Sequence, residues 1–175
     1  MSERLEDMLA GGHPNSLGRT LEVVETVLAD ADRFGELFAC YVSEDPVVRL
    51  RTSNALKRIE AQRRDLLVPY IGRLIEEVGD LDQASAQWTL AQLFGRLAAD
   101  MDQDQRAGAL RIMKRNLSSH DDWIVLNATI ETLSDWAMAD QGLKRWLKPH
   151  LERLSADSRK SVASRAAKKR RKLYP

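Results

Sequence analysis

The 175-residue chain has a single cysteine, Cys40. One thiol excludes an internal disulfide and any metal site built from several cysteines, and it fits a reducing, cytoplasmic setting. Long apolar runs are also missing. The longest, Leu37–Val42 and Leu66–Ile71, are six residues each, against roughly 20 for a membrane-spanning helix. No apolar stretch follows the charged start MSERLEDML, so neither a secretory signal nor a membrane partner is expected. Period-two alternation is absent, which argues against strands. Catalytic signatures are absent too: no glycine-rich phosphate loop, no nucleophile elbow, and no paired histidine or cysteine motif at metal-binding spacing. The sequence therefore predicts a protein without enzyme activity, cofactor or bound metal.

Charge is plentiful but unevenly placed. The 27 Lys+Arg and 26 Asp+Glu give a net charge of +1. From Lys144 to Pro175 there are 12 basic and 2 acidic residues, a net of +10, which leaves −9 for residues 1–143. An acidic body with a basic end points to nucleic acid at that end, to an acidic partner, or to attraction between the two parts.

Apolar residues recur every three or four positions, the helical period. Leu5, Met8 and Leu9 mark a short helix stopped by Gly11-Gly12-His13-Pro14. Leu17, Leu21, Val24 and Leu28 stripe the next, and Phe34, Leu37, Phe38, Tyr41 and Val42 a third. Asp45-Pro46 reads as an N-cap followed by proline at the first helical position, opening a helix with Val48, Thr52, Leu56 and Ile59 on one face. Leu67, Ile71, Leu74, Ile75 and Val78 stripe another helix. Further helices are predicted at about 82–98, 104–117, 122–138, 141–155 and from 158 onward. The second helix of each pair aligns at Thr52, Thr89, Thr129 and Ala166, a period near 40 residues.

These motifs resemble HEAT repeats. Leu147-x-Pro149-x-Leu151-x-x-Leu154-x-x-Asp157 followed by Val162 and Ala166 is similar to a whole repeat. Val48-Arg49 with Thr52, Leu56 and Ile59 is similar to a second helix, and Val68-Pro69-Tyr70-Ile71 with Leu74-Ile75 to a first. Ala86 and Leu126 replace the arginine that the family pattern prefers, and Arg170 stands at the closing position held by Leu56, Leu93 and Leu133. The resemblance covers about 34–170. It implies an all-α, right-handed α-solenoid of about four HEAT-like helix pairs: N-terminal capping helices in 1–33, repeats in 34–164 and a basic C-terminal tail in 165–175.

A HEAT-like role implies a non-catalytic interaction module that offers its second helices to a protein partner. Leu90, Phe94 and Ile130 fall at positions where the pattern prefers polar residues. They either form an exposed apolar patch or lie in a core that buries the second helices more broadly. With Ser53, Asn54, Lys57 and Ser134 they are the expected partner-binding residues. The alternative is weak, sequence-independent nucleic-acid binding through Arg165, Lys168, Lys169, Arg170, Arg171 and Lys172. HEAT-like repeats also build alkylpurine DNA glycosylases, and Asp135-Trp136 invites that comparison, although the register turns Trp136 inward. The acidic clusters Asp100, Asp102, Asp104 and Asp121-Asp122 read as helix-capping acids more than as a cation site, and Cys40 as a small core residue.

Overall fold

A computed structural model describes residues 2–175. It is all helical, with no strand among the described residues and no helix long and apolar enough to cross a membrane. Two compact units divide the chain, the first ending at Thr89 and the second running from Leu90 to Pro175.

In the first unit, α1 (Leu5–Leu9) and α2 (Thr20–Ala29) both pack on α4 (Pro46–Gln62), and α3 (Phe34–Ala39) joins them. Asp45 caps α4 by accepting from the Val47 N–H at 2.8 Å, with Pro46 at N1. The stripe at 67–78 is not one regular helix. It comprises α5 (Arg64–Leu67), a 3-10 turn at Val68–Tyr70, α6 (Ile71–Arg73) and a π turn at Leu74–Val78. Pro69 sits in that 3-10 turn, where its missing N–H interrupts the α ladder. The unit closes with the first part of α7 (Ala84–Leu97). Arg49 donates to Gln83 Oε1, and Gln83 donates on to the Pro46 carbonyl.

The packing of this unit depends on Arg51, whose side chain is only 1 % exposed. Its guanidinium donates to the carbonyls of Leu9 and Gly11, both at 2.6 Å, and to those of His13 and Ser16 at 3.1 and 3.2 Å. One buried side chain thus satisfies the acceptors of the loop between α1 and α2. Gly18 has φ +51°, and a Cβ there would lie 2.8 Å from Arg51 Cζ, so only glycine fits.

In the second unit, α8 (Gln103–Ser119) packs on α9 (Trp123–Ala137). α10 (Gln141–Ser155) and α11 (Lys160–Leu173) pack on each other, and both pack on α9. Asp102 forms a capping box with Gln105, Asp122 accepts from the N–H groups of Ile124 and Val125, and Asp140 accepts from Leu143. Thr129 and Leu133 are fully buried, as Thr52 and Leu56 are in the first unit.

Of the basic segment 165–175, residues 165–173 are helical and form the C-terminal part of α11, whose buried stripe runs Val162, Ala166, Lys169, Leu173. Arg170 is exposed, and Leu173, three residues later, closes the stripe. Lys169 joins the core side by laying its stem along it while its ammonium reaches Glu131 and Asp135. The Tyr174 hydroxyl donates to the Lys144 carbonyl and ties the chain end to α10.

Candidate functional site

The apolar patch at Leu90, Phe94 and Ile130 does not reach the surface. Their side chains are 1 %, 0 % and 0 % exposed. The reason is visible in α9, which has α8, α10 and α11 packed around it and has its Thr132 hydroxyl bonded to the Ala91 carbonyl of α7 at 2.7 Å. A helix covered from several sides buries more than one stripe. Ser134 is buried as well, with an unpartnered hydroxyl, and Ser53 is buried against the Tyr41 hydroxyl at 2.7 Å. Asn54 and Lys57, on α4 of the first unit, are half-buried.

The second unit has an open cleft of about 460 Å³ elsewhere, lined by the end of α7, by α9 and by α11. Along α9, Trp123, Asn127, Glu131 and Asp135 follow one another at every fourth residue, so they form one ridge of the helix. Gln92, Gly95 and Arg96 line the α7 side and Arg165 the α11 side. Gly95 matters because α7 and α9 approach closely there; a Cβ at this position would meet Thr132 Oγ1 at 3.0 Å.

Two side chains in this cleft stand out chemically. Trp123 is 51 % exposed, leaving a large apolar ring in water. Asn127, one helical turn on, is 7 % exposed; its Nδ2 donates to Ser161 Oγ at 3.2 Å, while its buried Oδ1 has no partner. Leaving a buried amide oxygen unmet costs roughly 1–3 kcal/mol. Trp136 also borders the cleft but points inward, 6 % exposed, with the Arg106 guanidinium 4.0 Å from its ring centroid.

A second hollow, of about 500 Å³, shares Glu131 and Arg165 with the first and continues along α11. Its lining brings together Arg165, Lys168, Lys169 and Lys172 with the hydroxyl-bearing Ser161 and Ser164. Burial pushes the Glu131 carboxyl up, but bonds from Lys169 and Arg165 outweigh this and hold it below its ordinary value. Lys168 and Lys172 are exposed and form a cationic row beside it. Arg170 and Arg171 are exposed on other faces of α11, so the run of five bases splits between surfaces.

The remaining reactive side chains serve the fold. Cys40 is 4 % exposed, and burial, with Glu6 and Glu36 nearby, pushes its thiol up to about 12, so it stays protonated. His120 Nδ1 accepts from the Asp122 N–H, and His150 stacks on Trp146 with ring centroids 4.1 Å apart. The first unit has a hollow of comparable size, about 410 Å³, between Leu21, Val24 and Leu28 of α2 and Arg58 of α4.

Sequence reasoning placed Arg165, Lys168, Lys169 and Lys172 among its candidates but missed Trp123, Asn127 and Arg96. The four-residue spacing from Trp123 to Asp135 was the available signal. No known protein family matches the sequence, and no curated protein matches it either.

Proposed function

We propose that the protein is a non-catalytic interaction module, a right-handed α-solenoid of HEAT-like helix pairs that holds a protein partner in the cleft of α9 and α11. The repeat reading is supported by the equivalent burial of Thr52, Thr89 and Thr129, and of Leu56, Leu93 and Leu133, at the aligned positions of three second helices. The binding reading rests on one observation above all: the half-exposed indole of Trp123 lining an open cleft. A large aromatic ring set in a concavity is the kind of anchor that a partner covers. A photo-crosslinking amino acid at Ala128, which lines the same cleft, tests the reading in cells. The expected outcome is a discrete covalent protein adduct, lost when Trp123 is replaced by Ser. No adduct from this position, with adducts from the α2–α4 hollow instead, would move the working surface elsewhere.

A second reading, nucleic-acid binding through α11, draws on the row Arg165, Lys168 and Lys172. The carboxylates of Glu131 and Asp135 in the adjoining cleft oppose a phosphate chain there. The comparison with alkylpurine glycosylases gains nothing from Trp136, whose ring lies in the core under Arg106.

A further inference from the structure

We infer that the occupant of this groove is an extended acidic peptide segment of the partner; the inference rests on the interaction-module reading and names the chemistry of what that module holds. Two features of the groove call for an acidic peptide. The first is Trp123, whose exposed face, with the half-buried Ile124 beside it, accepts an apolar side chain. The second is the row Arg165, Lys168 and Lys172 along the adjoining hollow, a cationic surface that complements carboxylates.

Spacing agrees with this. Lys168 and Lys172 are separated by about 6 Å of helix rise. Carboxylates on alternate residues of an extended chain lie about 6.6 Å apart. Ser161 and Ser164 in the same hollow add hydroxyls that can donate to those carboxylates.

The groove is not uniformly positive, and this decides between the two polyanions. Glu131 and Asp135 lie in the first cleft, and the cations Lys169 and Arg165 already engage Glu131. A nucleic-acid strand brings a phosphate at every nucleotide and would set one against these carboxylates. A peptide carries charge only on chosen side chains, so it can cross the first cleft with neutral residues and place its acids over Lys168 and Lys172.

The test uses the full chain and three labelled probes in fluorescence anisotropy. These are a twelve-residue peptide with alternating Ser and Leu in one half and alternating Glu and Leu in the other, the same peptide with Lys in place of Glu, and a twelve-nucleotide oligothymidylate. The Glu peptide should bind at least about tenfold more tightly than either other probe at low salt, and its affinity should fall as salt rises. The double variant K168E/K172E changes two exposed side chains, so its melting temperature should stay near wild type while its Glu-peptide affinity falls about tenfold or more. Trp123→Ser, also at an exposed position, should weaken the same probe by about tenfold. Tighter binding of the oligonucleotide, no binding of the Glu peptide, or Glu-peptide affinity unchanged in K168E/K172E and Trp123→Ser would each overturn the inference. If the Glu peptide fails while Ala128 still crosslinks to a protein, the peptide chemistry is wrong and the module stands. If the crosslink fails as well, both fall.

Discussion

Residues 1–89 carry 10 basic and 16 acidic side chains, whereas residues 90–175 carry 17 and 10, so the two units have net charges of −6 and +7. They also use their cations differently. The first unit sends Arg51 inward, where loop carbonyls surround it and no water reaches it. The second sets Lys168 and Lys172 outward on α11 and buries only the stem of Lys169, whose ammonium stays at a carboxylate. A cation inside a ring of carbonyls is a structural part whose removal orphans every acceptor it served. A cation on an open helix face is nearly free to change without harm to the fold and is available to a partner.

The largest expected effect probes the inward case. Arg51→Leu should destabilise the protein by about 3–5 kcal/mol in urea unfolding, because the carbonyls of Leu9, Gly11, His13 and Ser16 lose their donor together. A loss under about 0.5 kcal/mol would mean that water can replace the guanidinium. Next comes the end of the chain. Leu173→Ala should cost about 2–3 kcal/mol, whereas its neighbour Lys172→Ala should stay within about 0.5 kcal/mol. Equal effects at the two positions would erase the distinction between the buried and displayed faces of α11.

A smaller effect is expected from acid. Bonds from the Arg159 side chain and backbone hold the Asp157 carboxyl at about 2, below its ordinary value of 3.8. Glu131 is likewise held low. A folded-state value below the unfolded one means that the stabilisation is complete above about pH 4.5 and is lost as pH falls toward 2. Asp157→Asn should make the protein less stable than wild type at pH 7 by about 1 kcal/mol or less, and the gap should close as pH falls toward 2, so the variant's decline in unfolding free energy with acid is flatter. An unchanged acid slope would show that the Arg159 pair is already solvated.

Much of this architecture is legible in the sequence, because caps and periodicity are local. The predicted helices at 82–98, 104–117, 122–138 and 141–155 end within two residues of α7, α8, α9 and α10. Asp45 caps a helix with Pro46 behind it as the sequence indicates, and within the two acidic clusters the capping residues are Asp102 and Asp122. Other features depend on long-range contacts. Arg51 reads as an ordinary polar helix residue until loop carbonyls some 40 positions earlier close around it. The five-base run hides the stripe Val162, Ala166, Lys169, Leu173, since a lysine that buries its stem resembles a solvated one in sequence. Aligning repeats yields one buried stripe per helix, so Leu90, Phe94 and Ile130 stand off that stripe, and the alignment alone leaves open whether they are exposed or buried on another side; the packing around α9 decides for burial. The cleft has the same cause: Asn127 meets Ser161 across 34 residues.

The most direct test of where the working surface lies pairs two exposed apolar residues, one from each unit. Trp123 is 51 % exposed in the α9–α11 cleft, and Leu21 is 49 % exposed beside the α2–α4 hollow. Each is replaced by Ser, and each variant is melted and then compared with wild type for the partner captured from cells. Both substitutions should shift stability by no more than about 0.5–1 kcal/mol. The account predicts that Trp123→Ser loses the partner and Leu21→Ser retains it; loss with Leu21→Ser and retention with Trp123→Ser would contradict it.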